Sequence, residues 1–238
     1  MSKYYEEIRS PERERAFVET GAVSDFLRQV FATMGIGLAI TAMAAWYVGT
    51  NPALVQFFYS GFTYYIVLFA PLAVVIFLSA RVHKMSFTNA SIAFAVYSLI
   101  NGISLAFIFF VFDLGTIFRV FFITAGTFGA MAVVGYTTKV DLSKFGSILF
   151  MALIGLIIAS VVNIFLASSG LDWIISIAGV LIFCGLTAYD MQKLKIIGAN
   201  VDPTTEGAKK VALMGALTLY LDFINLFLFL LRIFGGRD

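Results

Sequence analysis

Seven long apolar runs, separated by short polar segments, dominate the chain. A helix needs about 20 apolar residues to cross a hydrocarbon layer about 30 Å thick, and each run has roughly that length. Backbone N–H and C=O groups in lipid must be bonded within the protein, and the runs are too long and too uniformly apolar for barrel strands. The sequence therefore predicts an all-α membrane protein with seven transmembrane helices. The runs fall at about 26–48, 62–80, 90–112, 117–136, 145–167, 172–192 and 211–234.

Composition leads to the same class of protein. Apolar residues make up 61% of the chain and charged residues 13%, which is about half the charged share of an ordinary soluble domain. The runs leave no length for a separate soluble catalytic domain. We therefore expect one transmembrane domain, residues 26–238, preceded by an N-terminal tail, residues 1–25.

The basic residues indicate how the helices are oriented. Thirteen of the sixteen Lys and Arg residues lie in or next to the N-terminal tail, or in the second, fourth and sixth connections. Because cytoplasmic segments are enriched in Lys and Arg, we expect a multi-pass cell-membrane protein whose N-terminus is cytoplasmic and whose C-terminus is on the opposite face. Arg119, Arg232 and Arg237 are the exceptions. A re-entrant last run would return Arg232 and Arg237 to the cytoplasmic side.

Small residues four positions apart occur in two of the runs. Gly35 with Ala39, and Gly126 with Ala130, would permit close contacts between helices. We expect them to serve ordinary packing of the bundle.

Asp222 lies near the middle of the last run, with apolar-rich sequence on both sides. A charge at this depth costs several kcal/mol, so the carboxyl group must face the bundle interior and be protonated or paired. Thr218 and Asn225 lie on the same helix face and form a polar stripe with it. The structural role for such a stripe is a hydrogen bond between helices, and the functional role is a place in an ion pathway.

Asp190 ends the sixth run, with Thr187 one turn before it and Lys193 one turn after it. Alone it would form a local ion pair at the cytoplasmic boundary. Beside Asp222 it would form a carboxylate pair that titrates as a unit, because the two groups repel when both are ionised. Such a pair is sensitive to protons. It also supplies some of the roughly six to eight oxygen ligands that Ca²⁺ prefers.

The sequence places the two aspartates at different depths in the membrane. At about 1.5 Å of rise per residue, Asp190 lies about 25 Å beyond Trp173, and Asp222 lies about 15 Å from Arg232. Straight, upright helices then place the carboxylates roughly 10 Å apart in depth. Pairing would need helix tilt, a helix break or a water-filled vestibule.

Two motifs in the last two runs resemble those of a known family. LTAYDMQKLK, which contains Asp190, and LYLDFINLFLFLLRIFG, which contains Asp222, look like the corresponding segments of the Bax-inhibitor family of transmembrane Bax-inhibitor-motif proteins, bacterial branch. NGISL in the third run is a weaker third match. The resemblance covers all seven runs.

The resemblance implies six helices packed in two layers around a central last helix, and a pH-sensitive passive leak for Ca²⁺ in the bacterial inner membrane. It implies that Asp190 and Asp222 form the proton-sensing pair. From the chemistry of the residues themselves, we expect the same pair to bind Ca²⁺, supported by Thr187, Thr218 and Asn225. The resemblance also implies that Arg81, at the end of the second run, acts as a latch. This chain departs from the pattern because its second run contains no acidic residue.

Three functions compete at this point. The leading one is a passive, pH-gated cation pathway, because the chain has no nucleotide-binding or phosphorylation motif that would drive a pump. The second is a non-conducting protein that regulates other membrane proteins, with the aspartates as structural glue. The third is an intramembrane aspartyl protease. This chain lacks the GxGD element of that class, so we expect no enzyme activity.

We expect no tightly bound cofactor, since one histidine and one cysteine exclude the usual zinc sites and any disulfide. The expected partners are the lipid bilayer, Ca²⁺ and protons. The net charge of +2, with no basic tract, argues against nucleic acid. The sequence does not identify a protein partner.

Overall fold

The computed structural model describes the backbone of residues 11–235 and the side chains of residues 21–82 and 84–235. Residues 1–10 of the predicted tail and Arg237 lie outside this part, as do the side chains of Arg13 and Arg15. The described chain forms nine α-helices and one short 3₁₀ turn, Val82–Lys84. The helices are α1 (Pro11–Gly49), α2 (Pro52–Phe58), α3 (Gly61–Arg81), α4 (Phe87–Leu105), α5 (Ile108–Val111), α6 (Leu114–Thr137), α7 (Ser143–Leu166), α8 (Ser169–Gly198) and α9 (Glu206–Phe234).

Seven of these segments are long and apolar enough to cross a membrane, which confirms the prediction of an all-α membrane protein with seven candidate spans. They begin and end within about five residues of the predicted runs, except that α8 continues to Gly198. The first span is the Gly21–Gly49 part of α1, and the third, Phe87–Val111, combines α4 and α5. The other five are α3, α6, α7, α8 and α9.

Polar side chains mark where four of the spans begin. Ser86, Asp113, Ser168 and Thr205 each accept a hydrogen bond from a backbone N–H in the first turn of α4, α6, α8 and α9, respectively. These caps satisfy N–H groups that have no partner within the helix. At Asp113, the hydrogen bonds from Thr116 hold the carboxyl pKa below its usual value, so the cap stays ionised at neutral pH.

Successive spans run in opposite directions, and contacts at each end show which connections share a face. At one end, Arg232 pairs with Asp172 at 3.9 Å. At the other, Glu206 accepts a hydrogen bond from the Phe87 N–H at 3.2 Å. Helix α9 connects these ends without a break. It is therefore a full span in this structure, and not a re-entrant segment.

Helix α9 is the most buried span. In its most apolar stretch, 67% of the residues are buried, compared with 11% in α3 and 6% in α7. It contacts α1, α4, α6 and α8, whereas α3 packs mainly on α4 and α7 packs on α8. The arrangement of six helices in two layers stays a prediction.

The small residues that bring helices together are not the ones predicted. Gly35 and Gly126 have open space where a Cβ atom would lie, and Ala39 and Ala130 are exposed. The closest approach is instead at Gly135 of α6, where a Cβ atom would overlap the backbone carbonyl of Ala188 in α8. Spacing alone predicted the wrong pairs because it does not show which face of a helix meets a neighbour.

A break between α4 and α5 was also not predicted. The hydroxyl of Tyr59 lies 2.6 Å from the Ile103 carbonyl and 3.1 Å from that of Ser104, and it accepts a hydrogen bond from the Phe107 N–H at 3.1 Å. Burial raises the pKa of Tyr59 to about 12, so the hydroxyl keeps its proton at neutral pH. It thereby replaces helical hydrogen bonds that the break removes.

Gly135→Ala should destabilise the protein by about 1–3 kcal/mol, because the added methyl group can be accommodated only if α6 and α8 separate. Thermal unfolding of the purified protein in detergent measures this. Gly126→Ala, in the same helix, is the matched control and should leave the unfolding temperature unchanged or slightly higher, since alanine favours helix. Equal unfolding temperatures for the two variants would contradict the close contact.

Reporter fusions test the direction of the last helix. A fusion in the connection between Gly198 and Glu206 and one after Asp238 should give opposite signals, because α9 crosses the whole bundle. The division of Lys and Arg further predicts that the first of these fusions reports the cytoplasm. The same signal from both would contradict a seventh span.

Candidate functional site

Asp222 lies in the middle of α9 and is only 5% exposed. Its Oδ2 atom is buried, and apart from the neighbouring carboxyl group of Asp190 it has no hydrogen-bond partner in the described part of the chain. Leaving a carboxyl oxygen without a partner in a buried position is costly unless it carries a proton or has a cation beside it. The site is therefore incomplete as the protein side chains alone define it.

Asp190 is the acidic neighbour of Asp222. It is half-buried on α8, and its carboxyl group is close enough to that of Asp222 for a direct interaction between the two side chains. The structure thus brings together the two aspartates that the sequence singled out. Their functional role stays a prediction.

The register of α8 against α9 explains how the two meet. Leu194 packs where Gly215 has no side chain, and Phe229 packs where Gly179 has none. Counting along the antiparallel pair from these contacts places Asp190 level with Thr218, about one helical turn from Asp222. The difference in depth is therefore about 5 Å, a distance that the side chains can span.

The larger depth difference inferred from the sequence came from its reference points. Trp173 and Arg232 were treated as level with each other at the outer surface. In the register just described, Trp173 lies about one turn farther out than Arg232. Removing that offset removes about half of the roughly 10 Å separation.

The three supporting polar residues use their donors within their own helices. Thr187 donates to the Phe183 carbonyl at 2.7 Å, and Thr218 donates to the Met214 carbonyl at 3.1 Å. The Asn225 amide donates to the Leu221 carbonyl at 2.8 Å. Their oxygen lone pairs and the second N–H of the Asn225 amide are therefore the groups that remain for a ligand.

Basic side chains do not neutralise the carboxyl pair directly. Lys193 is exposed and acts on Asp190 through its charge, but no ion pair joins them among the described residues. Arg81 is exposed at the end of α3, with its guanidinium 5.9 Å from the centre of the Phe77 ring. The structure therefore does not bring the predicted latch residue to Asp190.

A second buried polar cluster lies on the other side of α9, and sequence reasoning missed most of it. The Tyr220 hydroxyl lies 2.6 Å from Thr41 Oγ1, and it accepts a hydrogen bond from Asn101 Nδ2 at 2.8 Å. Thr41 Oγ1 also donates a hydrogen bond to the Ser98 carbonyl at 2.9 Å. Asn101 begins the NGISL element and Tyr220 belongs to LYLDFINLF, so both lay in segments already noted, but a tyrosine or threonine in an apolar run is no signal by itself.

A cavity of about 640 Å³ opens at the Arg232 end of α9. Asp113, Asp172 and Arg232 line it together with apolar side chains that include Leu228 and Leu231. From Leu228 to Asp222 is about 9 Å of helix, and Asn225 is the polar residue in that interval. Within the described part of the chain, no group of three or more His, Cys, Asp or Glu residues could hold a metal ion.

Comparison of the sequence with known proteins identifies its family. The family model described as "Inhibitor of apoptosis-promoting Bax1" matches residues 23–238. Inner membrane protein YbhL of Escherichia coli (strain K12) is 45% identical over 231 residues, which cover 96% of this chain and 99% of that protein. An uncharacterized protein of Borreliella burgdorferi is 44% identical over 213 residues, covering 89% and 92%. One of Rickettsia prowazekii is 37% identical over 238 residues, covering 100% and 99%.

The family match and these full-length relatives agree with the resemblance read from the two aspartate motifs. The chain is a multi-pass membrane protein, and it belongs to the Bax inhibitor family.

Proposed function

We propose that this protein is a passive, pH-sensitive cation leak of the bacterial inner membrane, with Ca²⁺ as the ion and Asp190 with Asp222 as the gating pair. The observation that carries the proposal is the buried carboxyl pair, in which Asp222 Oδ2 has no partner other than Asp190 among the described residues. No ion pair with a described Lys or Arg residue balances its charge. A proton or a mobile cation is what remains to occupy the site.

Competition between protons and cations would make such a site sensitive to pH. A hard cation binds ionised carboxylates, so its binding releases protons. The apparent affinity of the pair for Ca²⁺ should therefore fall as the pH falls. The same exchange would change the charge in the middle of the bundle, where it acts on the packing of α8 against α9.

The number of oxygen ligands favours a passing ion over a resident one. A tight Ca²⁺ site has roughly six to eight oxygen ligands. The two carboxylates, with the free lone pairs of Thr187, Thr218 and Asn225, would need water or backbone oxygens to complete that number. Weak binding of this kind suits conduction, since an ion must also leave the site.

The cavity at the Arg232 end of α9 supports one entry route. Arg232 balances the charge of Asp172 in this cavity, which leaves the Asp113 carboxylate to attract cations from that side. Thr218, Leu221 and Asn225 form a partly exposed stripe along α9, and Asn225 lies between this cavity and Asp222. We propose that cations travel along this stripe when the pair opens.

The non-conducting alternative is less well supported. If Asp222 served only as glue between helices, its carboxyl oxygens should be satisfied by donors on neighbouring helices. The one such partner of Asp222 in the described part of the chain is the carboxyl group of Asp190, and that hydrogen bond needs a shared proton, so it would be lost when the pair ionises.

Replacing either aspartate with asparagine tests the gating pair. Asp190→Asn and Asp222→Asn should each flatten the pH dependence of Ca²⁺ flux into liposomes, because each group sets the protonation of the other. Asp222→Asn should also weaken Ca²⁺ binding. The double variant should add little, with a coupling free energy of about 0.5–3 kcal/mol in the double-mutant cycle.

Asp25→Asn is the matched control, since Asp25 is an exposed acid on α1. It should leave the pH profile unchanged. Additive effects of the two site variants would separate the aspartates functionally and favour the glue role. A parent protein with no flux at any pH would refute the leak itself.

We also propose that Arg81 is a latch in a conformation other than the one described here. Helix α3 is only 11% buried across its most apolar stretch, so few contacts oppose a shift that would bring its end toward Asp190. Arg81→Ala should then raise Ca²⁺ flux at a pH where the parent is quiet. Lys84→Ala removes a charge from the same connection and should have no such effect. An unchanged pH response in Arg81→Ala would leave Arg81 as a basic anchor at the membrane surface.

A further inference from the structure

The Tyr220 hydroxyl is the centre of a buried hydrogen-bond network that joins three spans. Thr41 of α1 lies 2.6 Å from it, and Asn101 of α4 donates to it at 2.8 Å. Thr41 is tied in turn to the Ser98 carbonyl of α4. Tyr220 itself has 0% exposure. A tyrosine hydroxyl in this position both donates and accepts, so the network uses its full capacity.

Tyr220 and Asp222 lie on opposite sides of α9. An α-helix turns by about 100° per residue, so positions two apart differ by about 200°. One side of the helix is therefore bonded to α1 and α4 through Tyr220, and the other side presents Asp222 to α8. The two groups share the same short piece of backbone and rotate together.

The α1 and α4 side provides a rigid reference. A Cβ atom on Gly102 of α4 would overlap the Thr41 backbone carbonyl of α1, so these two helices touch directly beside the network. The rings of Phe94 and Tyr97 pack edge-on against Tyr220, with centroids 5.7 Å away in each case. Tightly packed interiors of this kind resist rotation of a single helix.

The Asp222 side packs closely on α8, but its hydrogen bond to that helix, with the Asp190 carboxyl group, depends on the protonation of the pair. The charged or titratable groups acting on the pair are the two aspartates and Lys193. On the opposite side the titratable group beside Tyr220 is Tyr97. The hydrogen bonds that hold the rotation of α9 whatever the charge of the pair are therefore on its Tyr220 side.

We infer that Tyr220, through Thr41 and Asn101, is the positioning residue that sets the rotation of α9 and so holds Asp222 against Asp190. The importance of this for conduction rests on the proposed function. The positioning itself concerns the aspartate pair and can be measured without any flux.

The test follows protonation of the pair directly. Infrared absorption of protonated carboxyl groups is recorded across a pH series on protein labelled with ¹³C at the aspartate carboxyls, and Asp190→Asn and Asp222→Asn assign the band. Tyr220→Phe and Thr41→Val each remove one hydroxyl from the network with little change in shape. Each should move the titration midpoint by about half to one pH unit, the size expected for loss of one hydrogen bond.

Two controls separate positioning from general damage. Tyr97→Phe removes a hydroxyl from a neighbouring buried tyrosine whose hydroxyl lies outside the network, and Thr41→Ser keeps the hydroxyl of Thr41. Both should retain the parent midpoint. A lower unfolding temperature with an unchanged midpoint in Tyr220→Phe and Thr41→Val would overturn the inference, and so would an equal shift in Tyr97→Phe.

A second measurement decides the case if the band does not titrate in the accessible range. In a Cys184→Ala background, Thr218→Cys lies on the partly exposed stripe of α9 and reports its rotation through its rate of reaction with a maleimide. Tyr220→Phe should change this rate at least about twofold, which corresponds to a free-energy change smaller than that of one hydrogen bond. Tyr97→Phe should leave the rate unchanged. Equal rates would overturn the inference. Absence of Ca²⁺ flux in the parent would refute the leak while leaving both of these measurements decisive.

Discussion

The cost of placing a carboxyl group in hydrocarbon determines the arrangement of this protein. Asp222 cannot face lipid as a charged group without a penalty of several kcal/mol, so the helix that carries it must be surrounded by others. Helix α9 is accordingly the most buried span and contacts α1, α4, α6 and α8. The less buried helices, α3 and α7, carry no acidic residue that needs such cover, and they lie farther out.

The short motif around Asp222 gives α9 two different polar faces. Tyr220 points to a network in which its hydroxyl is satisfied, whereas Asp222 points to α8, where the described residues offer it only the carboxyl group of Asp190. A fully bonded network holds one geometry, while an unsatisfied carboxyl pair can take up a proton or an ion. Stability and chemical responsiveness are thus assigned to opposite sides of one helix, only two residues apart.

The sequence predicted those properties that depend on the solvent more closely than those that depend on the neighbours. Run length determined the seven spans because the bilayer sets it, and the depth of Asp222 marked it as a site residue. The close contact at Gly135 and the network at Tyr220 were missed because they depend on which helix faces meet. The depth difference between the aspartates was overestimated because the register of α8 against α9 is set by Leu194 at Gly215 and Phe229 at Gly179, and not by where the runs end.

Helix α7 shows what weak burial means for the evolution of a membrane helix. Only 6% of its most apolar stretch is buried, so at most positions its side chains meet lipid tails, for which one aliphatic residue is as good as another. Shape matters at two places, where Tyr189 fills the space above Gly146 and Leu149 lies against Gly185. Substitutions should therefore accumulate freely along α7 as long as they are apolar, while these two contacts retain the register of the helix on α8.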